Sequence, residues 1–166
     1  MKKILILLIF LSLNNQVFAA GSDSSSSDGG NDASATSLYD QAVKLVKRAG
    51  NLEKKDKVKK AKKLYSQAFY KLKKAYSSDK NNPDILNYMG FTSRKTGNFE
   101  DAEKFYLKGL SLKPNHNGIN EYLGELYVQT NRIDKANERL SVLKNCNCEE
   151  YKDLELIIKT RGTKIY

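Results

Sequence analysis

Apolar residues along most of this chain recur every three or four positions, which is the spacing of one face of an amphipathic helix. A clear example begins at Pro83, where Ile85, Leu86 and Met89 form one stripe. A turn follows at residues 96–98, where Gly97 suits the left-handed position that ends many helices. The second stripe contains Phe99, Ala102, Phe105, Tyr106, Gly109 and Leu110. The pattern therefore predicts two helices joined by a tight turn.

The residues that follow repeat this pattern with a period of 34, so that Gly90 recurs as Gly124 and Ala102 recurs as Ala136. A glycine inside a helix costs roughly 1 kcal/mol relative to alanine. Its recurrence predicts that a second helix approaches closely at both positions. A fixed period of this length is typical of proteins built from stacked supersecondary units.

The 34-residue unit resembles a tetratricopeptide repeat (TPR). Signature positions of that family are occupied in the first unit by Leu86, Met89, Gly90, Ala102, Tyr106, Gly109 and Pro114. In the second unit they are occupied by Leu123, Gly124, Tyr127, Ala136, Leu140 and Leu143. Ser93 departs from the pattern where a large aromatic residue is usual, and Asn120 departs where Trp or Leu is common. The resemblance implies an all-α fold, a TPR-like right-handed stack of helical hairpins.

Six segments are predicted along the chain. They are a signal peptide (1–19), a disordered Ser/Gly/Asp tether (20–37), a divergent basic TPR-like hairpin (38–82), two TPR repeats (83–116 and 117–145), and a Cys-x-Cys turn with a capping helix (146–166). The last helix is expected from Glu149 to about Thr160, and its apolar stripe would cover the open end of the stack, since terminal repeats need a cap. That stripe consists of Tyr151, Leu154, Ile157 and Ile158.

The N-terminus has the pattern of a secretory signal peptide. Lys2 and Lys3 precede an apolar run from Ile4 to Leu13, and small residues favour cleavage after Ala19. The alternative is an uncleaved anchor, but the apolar run is shorter than the ~20 residues of a spanning helix. We therefore expect export, most naturally to the periplasm of a Gram-negative bacterium. Residues 20–37 have almost no apolar bulk and are expected to stay disordered.

The first hairpin is predicted with different helix lengths. One helix should run from Leu38 to about Ala49, with Ser37 as its N-cap and with Gly50 closing it. The next should run from about Asp56 to Ser78, which is longer than the family's helices, so that its first two turns would overhang.

Basic charge is concentrated in this hairpin, where residues 38–80 contain 14 Lys or Arg against four acidic residues. One interpretation is a solvated helix face. Another is a docking surface, spanning Lys54–Lys74, for an anionic membrane. Arg48 is the one arginine in this range, and phosphate recognition by nucleic-acid-binding proteins favours arginine. Together with the expected export, this argues against nucleic acid as a partner.

Residue types that carry chemistry are few. The single histidine, His116, lies in a turn where exposure is the ordinary expectation. Cys146 and Cys148 are the two cysteines, and in an oxidising compartment they are expected to form a local disulfide. A redox-active pair and, more distantly, a metal site remain alternatives. No nucleophile–base arrangement or phosphate-binding glycine loop can be assembled, so we expect no catalysis and no cofactor.

What the chain offers is a binding surface. The resemblance implies that the first helices of each pair line a concave groove that holds a protein or peptide partner. The first-helix residues expected to be exposed there are Asp84, Asn87, Phe91, Arg94, Lys95, Glu121, Glu125, Val128 and Gln129. The sequence therefore predicts a non-catalytic scaffold or adaptor of the cell envelope. The alternatives are a redox-responsive protein using Cys146 and Cys148, and an anionic-membrane binder using the lysine-rich segment. The partner and the oligomeric state are not indicated.

Overall fold

The computed structural model describes residues 34–162, and these form seven α-helices and no strands. They are α1 (Ala35–Glu53), α2 (Val58–Ser78), α3 (Pro83–Thr96), α4 (Phe99–Leu112), α5 (Asn117–Gln129), α6 (Ile133–Leu143) and α7 (Glu149–Lys159). The predicted all-α class is confirmed. The predicted signal peptide and residues 20–33 of the tether lie outside the described residues. No helix within the described range is long and apolar enough to cross a membrane.

Consecutive helices pair as three hairpins, α1–α2, α3–α4 and α5–α6, and α7 packs on α5 and α6. The ends of α3 follow from its sequence. Asn82 accepts hydrogen bonds from the backbone N–H groups of Asp84 and Ile85, and Pro83 occupies the first turn, where its missing N–H costs nothing. Gly97 ends the helix with φ of 95°, in the left-handed region. Both predicted boundaries are confirmed.

Close approach occurs at both recurring glycines. A Cβ atom added at Gly90 would lie 2.4 Å from the Tyr106 ring of α4. One added at Gly124 would lie 2.5 Å from the Leu154 side chain of α7. The predicted contacts are therefore confirmed, although the second one is made by the capping helix. Leu154 and Ile157 are fully buried, so α7 covers the C-terminal end of the stack.

The first hairpin differs from the prediction. Helix α1 begins at Ala35 behind an N-cap at Ser34, so the predicted cap at Ser37 and the predicted tether boundary are wrong. The helix also continues through Gly50 to Glu53, because Tyr65 of α2 packs beside Gly50 and donates a hydrogen bond of 2.8 Å to Glu53. Tertiary packing here outweighs the helix-breaking tendency of glycine.

The predicted overhang of α2 is also wrong. Ala61 and Tyr65, in the first half of the helix, are buried and pack with Ala49. The reason is that α1 continues to Glu53 and therefore covers the first half of α2.

Two further side chains lie differently from their sequence expectation. Phe99 was expected in the buried stripe of α4, yet it is 40% exposed, because it occupies the first position of the helix. His116 was expected to be exposed, yet it is buried and caps α5, with Nδ1 accepting the Ile119 backbone N–H at 3.2 Å. Its Nε2 lies 3.0 Å from the Asp84 carboxylate of the preceding hairpin, which explains the burial.

Candidate functional site

Side chains from α1, α2, α3, α5 and α7 line a cavity of about 260 Å³, here called the central cavity. Its lining residues are Gly50, Glu53, Lys54, Tyr65, Phe91, Arg94, Lys95, Glu121, Tyr122, Glu125 and Asp153. The first helix of every hairpin and the capping helix all contribute. The cavity therefore exists only in the stacked arrangement.

The structure brings five of the nine predicted groove residues to this cavity: Phe91, Arg94, Lys95, Glu121 and Glu125. The other four lie elsewhere. Asp84 is exposed beside His116, and Gln129 is exposed at the end of α5. Asn87 is buried against Gly118, and Val128 is buried in the core around α5.

The predicted exposure of five of these residues is wrong. Asn87, Arg94, Glu121, Glu125 and Val128 are each less than 10% exposed. The physical reason is that α3 and α5 pack side by side. Each helix therefore buries side chains that a single hairpin would leave in solvent.

Phe91 is the centre of an aromatic cluster on the cavity wall. Its ring centroid lies 4.9 Å from that of Tyr122 on α5 and 5.8 Å from that of Tyr65 on α2. Tyr88, one turn earlier on α3, lies 6.5 Å away. Separations of 4.5–7 Å in tilted or edge-on geometry are favourable for aromatic pairs. The cavity thus has a rigid apolar wall assembled from three hairpins.

Two ion pairs stand beside this wall. The Arg94 guanidinium lies 2.6 Å from the Glu125 carboxylate, and the Lys95 ammonium lies 2.7 Å from the Glu53 carboxylate. Both cations also face aromatic rings: Arg94 lies 5.5 Å from the Phe91 centroid, and Lys95 lies 5.6 Å from the Tyr65 centroid. Such contacts hold the two cations in place.

Arg94 keeps unused hydrogen-bonding capacity. Its Nε and Nη1 atoms are buried without an acceptor among the described residues. The Tyr106 hydroxyl is close enough to the guanidinium to raise the pKa of Arg94, although no regular hydrogen bond joins the two groups. A buried donor without a partner is unfavourable, so this corner of the cavity favours an added acceptor such as water or a ligand oxygen.

Glu121 has an unusual protonation state. Burial raises its pKa to about 9, and the neighbouring carboxylates of Glu125, Asp153 and Glu150 add to the shift, against an opposing effect of Arg94. At neutral pH this carboxyl group is protonated, so it can donate a hydrogen bond. The cavity accordingly combines an aromatic wall, two neutralised ion pairs and one neutral carboxylic acid.

The two cysteines are away from this lining. They form a disulfide in the turn between α6 and α7, and Cys148 is the N-cap residue of α7. Among the described residues, no three His, Cys, Asp or Glu side chains are grouped as metal ligands.

Sequence reasoning missed several cavity residues. Glu53 and Lys54 were missed because α1 was expected to end at Ala49. Asp153 was missed because the sequence predicts α7 as a capping helix and gives no sign that it also lines the cavity. Tyr122 could have been found from its spacing. It follows Phe91 by 31 residues, which is about one helical turn shorter than the 34-residue period, so the two side chains are on the same face of their first helices.

Comparison with known proteins bears on the fold. The sequence profile described as "Tetratricopeptide repeat" matches residues 83–116. No curated protein matches the chain by sequence.

Two similar solved structures are both of the Yersinia enterocolitica type III secretion translocator chaperone SycD. One holds a peptide of the translocator YopD; it is 17% identical, with 74% of this chain and 90% of that chain covered and a TM-score of 0.47. The other is an alternative dimer, 17% identical, with 74% and 89% covered and a TM-score of 0.49. The α3–α4 hairpin matches the tetratricopeptide-repeat profile, and the resemblance inferred from the sequence is confirmed there.

Proposed function

We propose that this chain is a non-catalytic adaptor that holds an extended segment of a protein partner in the central cavity. The observation that carries the proposal is the Phe91 cluster, in which aromatic rings of three hairpins meet beside one buried and one half-buried ion pair. An apolar wall with a few fixed polar groups is the usual composition of a binding site in proteins.

The size of the cavity indicates what part of a ligand it holds. Its volume of about 260 Å³ lies below the ~300–1,000 Å³ of sites that enclose a whole small molecule. It suits one large apolar side chain. We therefore propose that an aromatic or aliphatic residue of the partner inserts beside Phe91 and Tyr122, while the partner's backbone groups meet the polar groups of Lys54, Glu121 and Asp153.

The chemistry of the lining supports binding rather than catalysis. The lining contains no Ser, Cys or His, so a nucleophile paired with an imidazole base is not available there. Three of its four carboxyl groups are engaged: Glu53 and Glu125 are paired with cations, and Glu121 is neutralised by burial.

Peptide arrays test this function directly. The full-length chain is applied to an array of random peptides, together with Phe91→Ala, Tyr122→Ala and, as a matched control, Leu107→Ala at a 49% exposed site on α4 outside the cavity. We expect enrichment of peptides with an aromatic or aliphatic residue and about tenfold weaker binding by both cavity variants, as for anchor residues of interfaces. Equal binding by all four proteins, each shown to be folded by circular dichroism, would refute the proposal.

We also propose that the protein acts in the cell envelope. The support is the N-terminal sequence, in which two lysines precede an apolar run and the small residues Ala19 and Ala20 flank the predicted cleavage site. Fractionation of producing cells, with mass spectrometry of the N-terminus, tests this. We expect a periplasmic protein that begins at Ala20, and a cytoplasmic protein that retains Met1 would disprove it.

A further inference from the structure

A second concave surface lies on the outer side of the first hairpin. It is a groove of about 500 Å³ between α1 and α2, here called the terminal groove. The apolar residues of its lining are Leu38, Leu45 and Tyr70, and its lysines are at positions 63, 71 and 74. Tyr70 is 60% exposed, which is unusual for so large a ring.

This groove is the open end of the stack. On α2, Phe69 packs against Phe105 and Tyr76 faces Lys108, so that side of the helix contacts α4. Residues 70 and 74 point to the opposite side, because successive helical positions are rotated by about 100°. At the other end of the stack, α7 covers the apolar face of α5 and α6. No helix of the described residues does the same for the terminal groove.

We propose that the terminal groove binds an acidic amphipathic helix of a second protein, at a site separate from the central cavity. Two elongated helices with a shallow apolar furrow between them match the apolar stripe of a third helix, which places side chains at i, i+3, i+4 and i+7 in such a furrow. The partner's helix would take the position that a preceding hairpin occupies in a longer stack.

Charge complementarity specifies that this helix is acidic. Residues 38–80 hold 14 basic residues against four acidic ones, and the lysines at 63 and 74 are exposed at the edge of the groove. Lys74 lies 4.9 Å from the Tyr70 ring centroid, and Lys71 donates a hydrogen bond of 2.7 Å to Gln41. Carboxylates flanking the apolar stripe of the bound helix would therefore meet ammonium groups on the side that faces α2.

Other occupants fit the groove less well. Residues 20–33 of this chain are acidic, but they contain no side chain larger than Asn or Asp and cannot fill an apolar groove. A bilayer surface would contact protruding apolar groups, whereas Leu38 and Leu45 are half-buried and pack against the core between the first two hairpins. A second copy could not offer the apolar residues Leu154 and Ile157 of α7, which are already buried, and a contact between two terminal grooves would bring like-charged lysines together.

The test uses the full-length chain and a synthetic 18-residue helical peptide with a leucine stripe flanked by glutamates. A second peptide carries lysines in place of the glutamates, and vesicles of phosphatidylglycerol provide the lipid comparison. Groove variants are Tyr70→Ala and the double change Lys63→Glu/Lys74→Glu. The matched control is Lys62→Glu/Lys73→Glu, which makes the same charge change on exposed positions of α2 outside the groove.

Fluorescence anisotropy should show binding of the acidic peptide, with affinity that decreases as salt is raised. We expect about tenfold weaker binding for each groove variant, a several-fold smaller effect for the control pair, and no binding of the basic peptide. The proposal is overturned if neither peptide binds, if both bind alike, or if the control pair weakens binding as much as the groove pair. Vesicle binding that depends on Tyr70 while the acidic peptide fails to bind would assign the groove to lipid instead. Unchanged unfolding midpoints establish that all variants are folded.

Discussion

The Arg94 guanidinium on α3 and the Glu125 carboxylate on α5 form an ion pair of 2.6 Å whose side chains are only 2% and 7% exposed. This pair joins two successive hairpins at the wall of the central cavity. Two charges removed from water are tolerated when they neutralise each other, but a single remaining charge in the same place is strongly unfavourable. The pair therefore fixes the register of α3 against α5.

Glu125→Gln should lower the free energy of unfolding by about 3–5 kcal/mol, because it leaves the buried Arg94 charge uncompensated. Urea denaturation followed by circular dichroism measures this. The double variant Arg94→Met/Glu125→Leu should recover most of the loss. Glu100→Gln, in an exposed pair with Lys104, is the control and should leave the midpoint nearly unchanged. An equal loss in Glu125→Gln and in the double variant would show that packing, rather than charge, explains the effect.

Gly90→Ala should destabilise the protein even though alanine favours helices. The added methyl group would lie 2.4 Å from the fully buried Tyr106 ring, and overpacking of a core costs about 1–3 kcal/mol. Because three atoms of the ring would lie within 3.0 Å of the new methyl group, we expect the upper part of this range, which exceeds the roughly 1 kcal/mol gained in helix propensity.

Gly50→Ala is the matched comparison for this prediction, because its nearest neighbour, the Tyr65 hydroxyl, is 4.0 Å away. That variant should be stabilised by up to about 1 kcal/mol. The midpoints of thermal unfolding of the two variants, compared with that of the original chain, test this prediction. If Gly90→Ala is stabilised to the same degree, space at Gly90 does not constrain the packing.

Prediction from sequence succeeded where the chain repeats itself. Gly90 and Gly124 share one physical constraint, and their spacing shows the period without any knowledge of tertiary structure. The ends of α3 at Pro83 and Gly97 were also predictable, because they depend on local backbone chemistry.

Contacts between distant segments were harder to predict. The burial of His116 depends on Asp84, which lies 32 residues earlier, and the extension of α1 beyond Gly50 depends on Tyr65 of the next helix. A local pattern contains neither relationship. The separation of 31 residues between Arg94 and Glu125 and between Phe91 and Tyr122 shows that α3 and α5 pack one helical turn out of phase with the repeat.

Stability should depend on pH through Glu121. Its folded pKa of about 9 exceeds the ordinary value of 4.5, so the folded state binds this proton more tightly than the unfolded state does. The free energy of unfolding should therefore decrease as the pH rises from about 4.5 to about 9, because ionisation favours the unfolded chain. Glu121→Gln should flatten this slope and raise stability above neutral pH. Denaturation midpoints between pH 5 and pH 9 measure it.

Glu138→Gln is the comparison for this prediction, since its carboxylate is 65% exposed on α6. It should leave the slope as it is in the original chain. A slope that is the same in Glu121→Gln as in the original chain would show that Glu121 is ionised throughout this range.

The disulfide at the start of α7 should contribute less to stability than the packing of the helix it precedes. A bridge between Cys146 and Cys148 closes a three-residue loop, for which the loss of unfolded-chain entropy corresponds to about 1–2 kcal/mol. Leu154, in contrast, is fully buried against Gly124, and truncating such a side chain costs about 2–5 kcal/mol. Cys146→Ser/Cys148→Ser should therefore keep α7 docked, whereas Leu154→Ala should release it. Hydrogen exchange of the α7 amides distinguishes the two results. If the serine variant exchanges as fast as Leu154→Ala, the bridge holds the capping helix, and the redox state of the cysteines would then control whether the stack is capped.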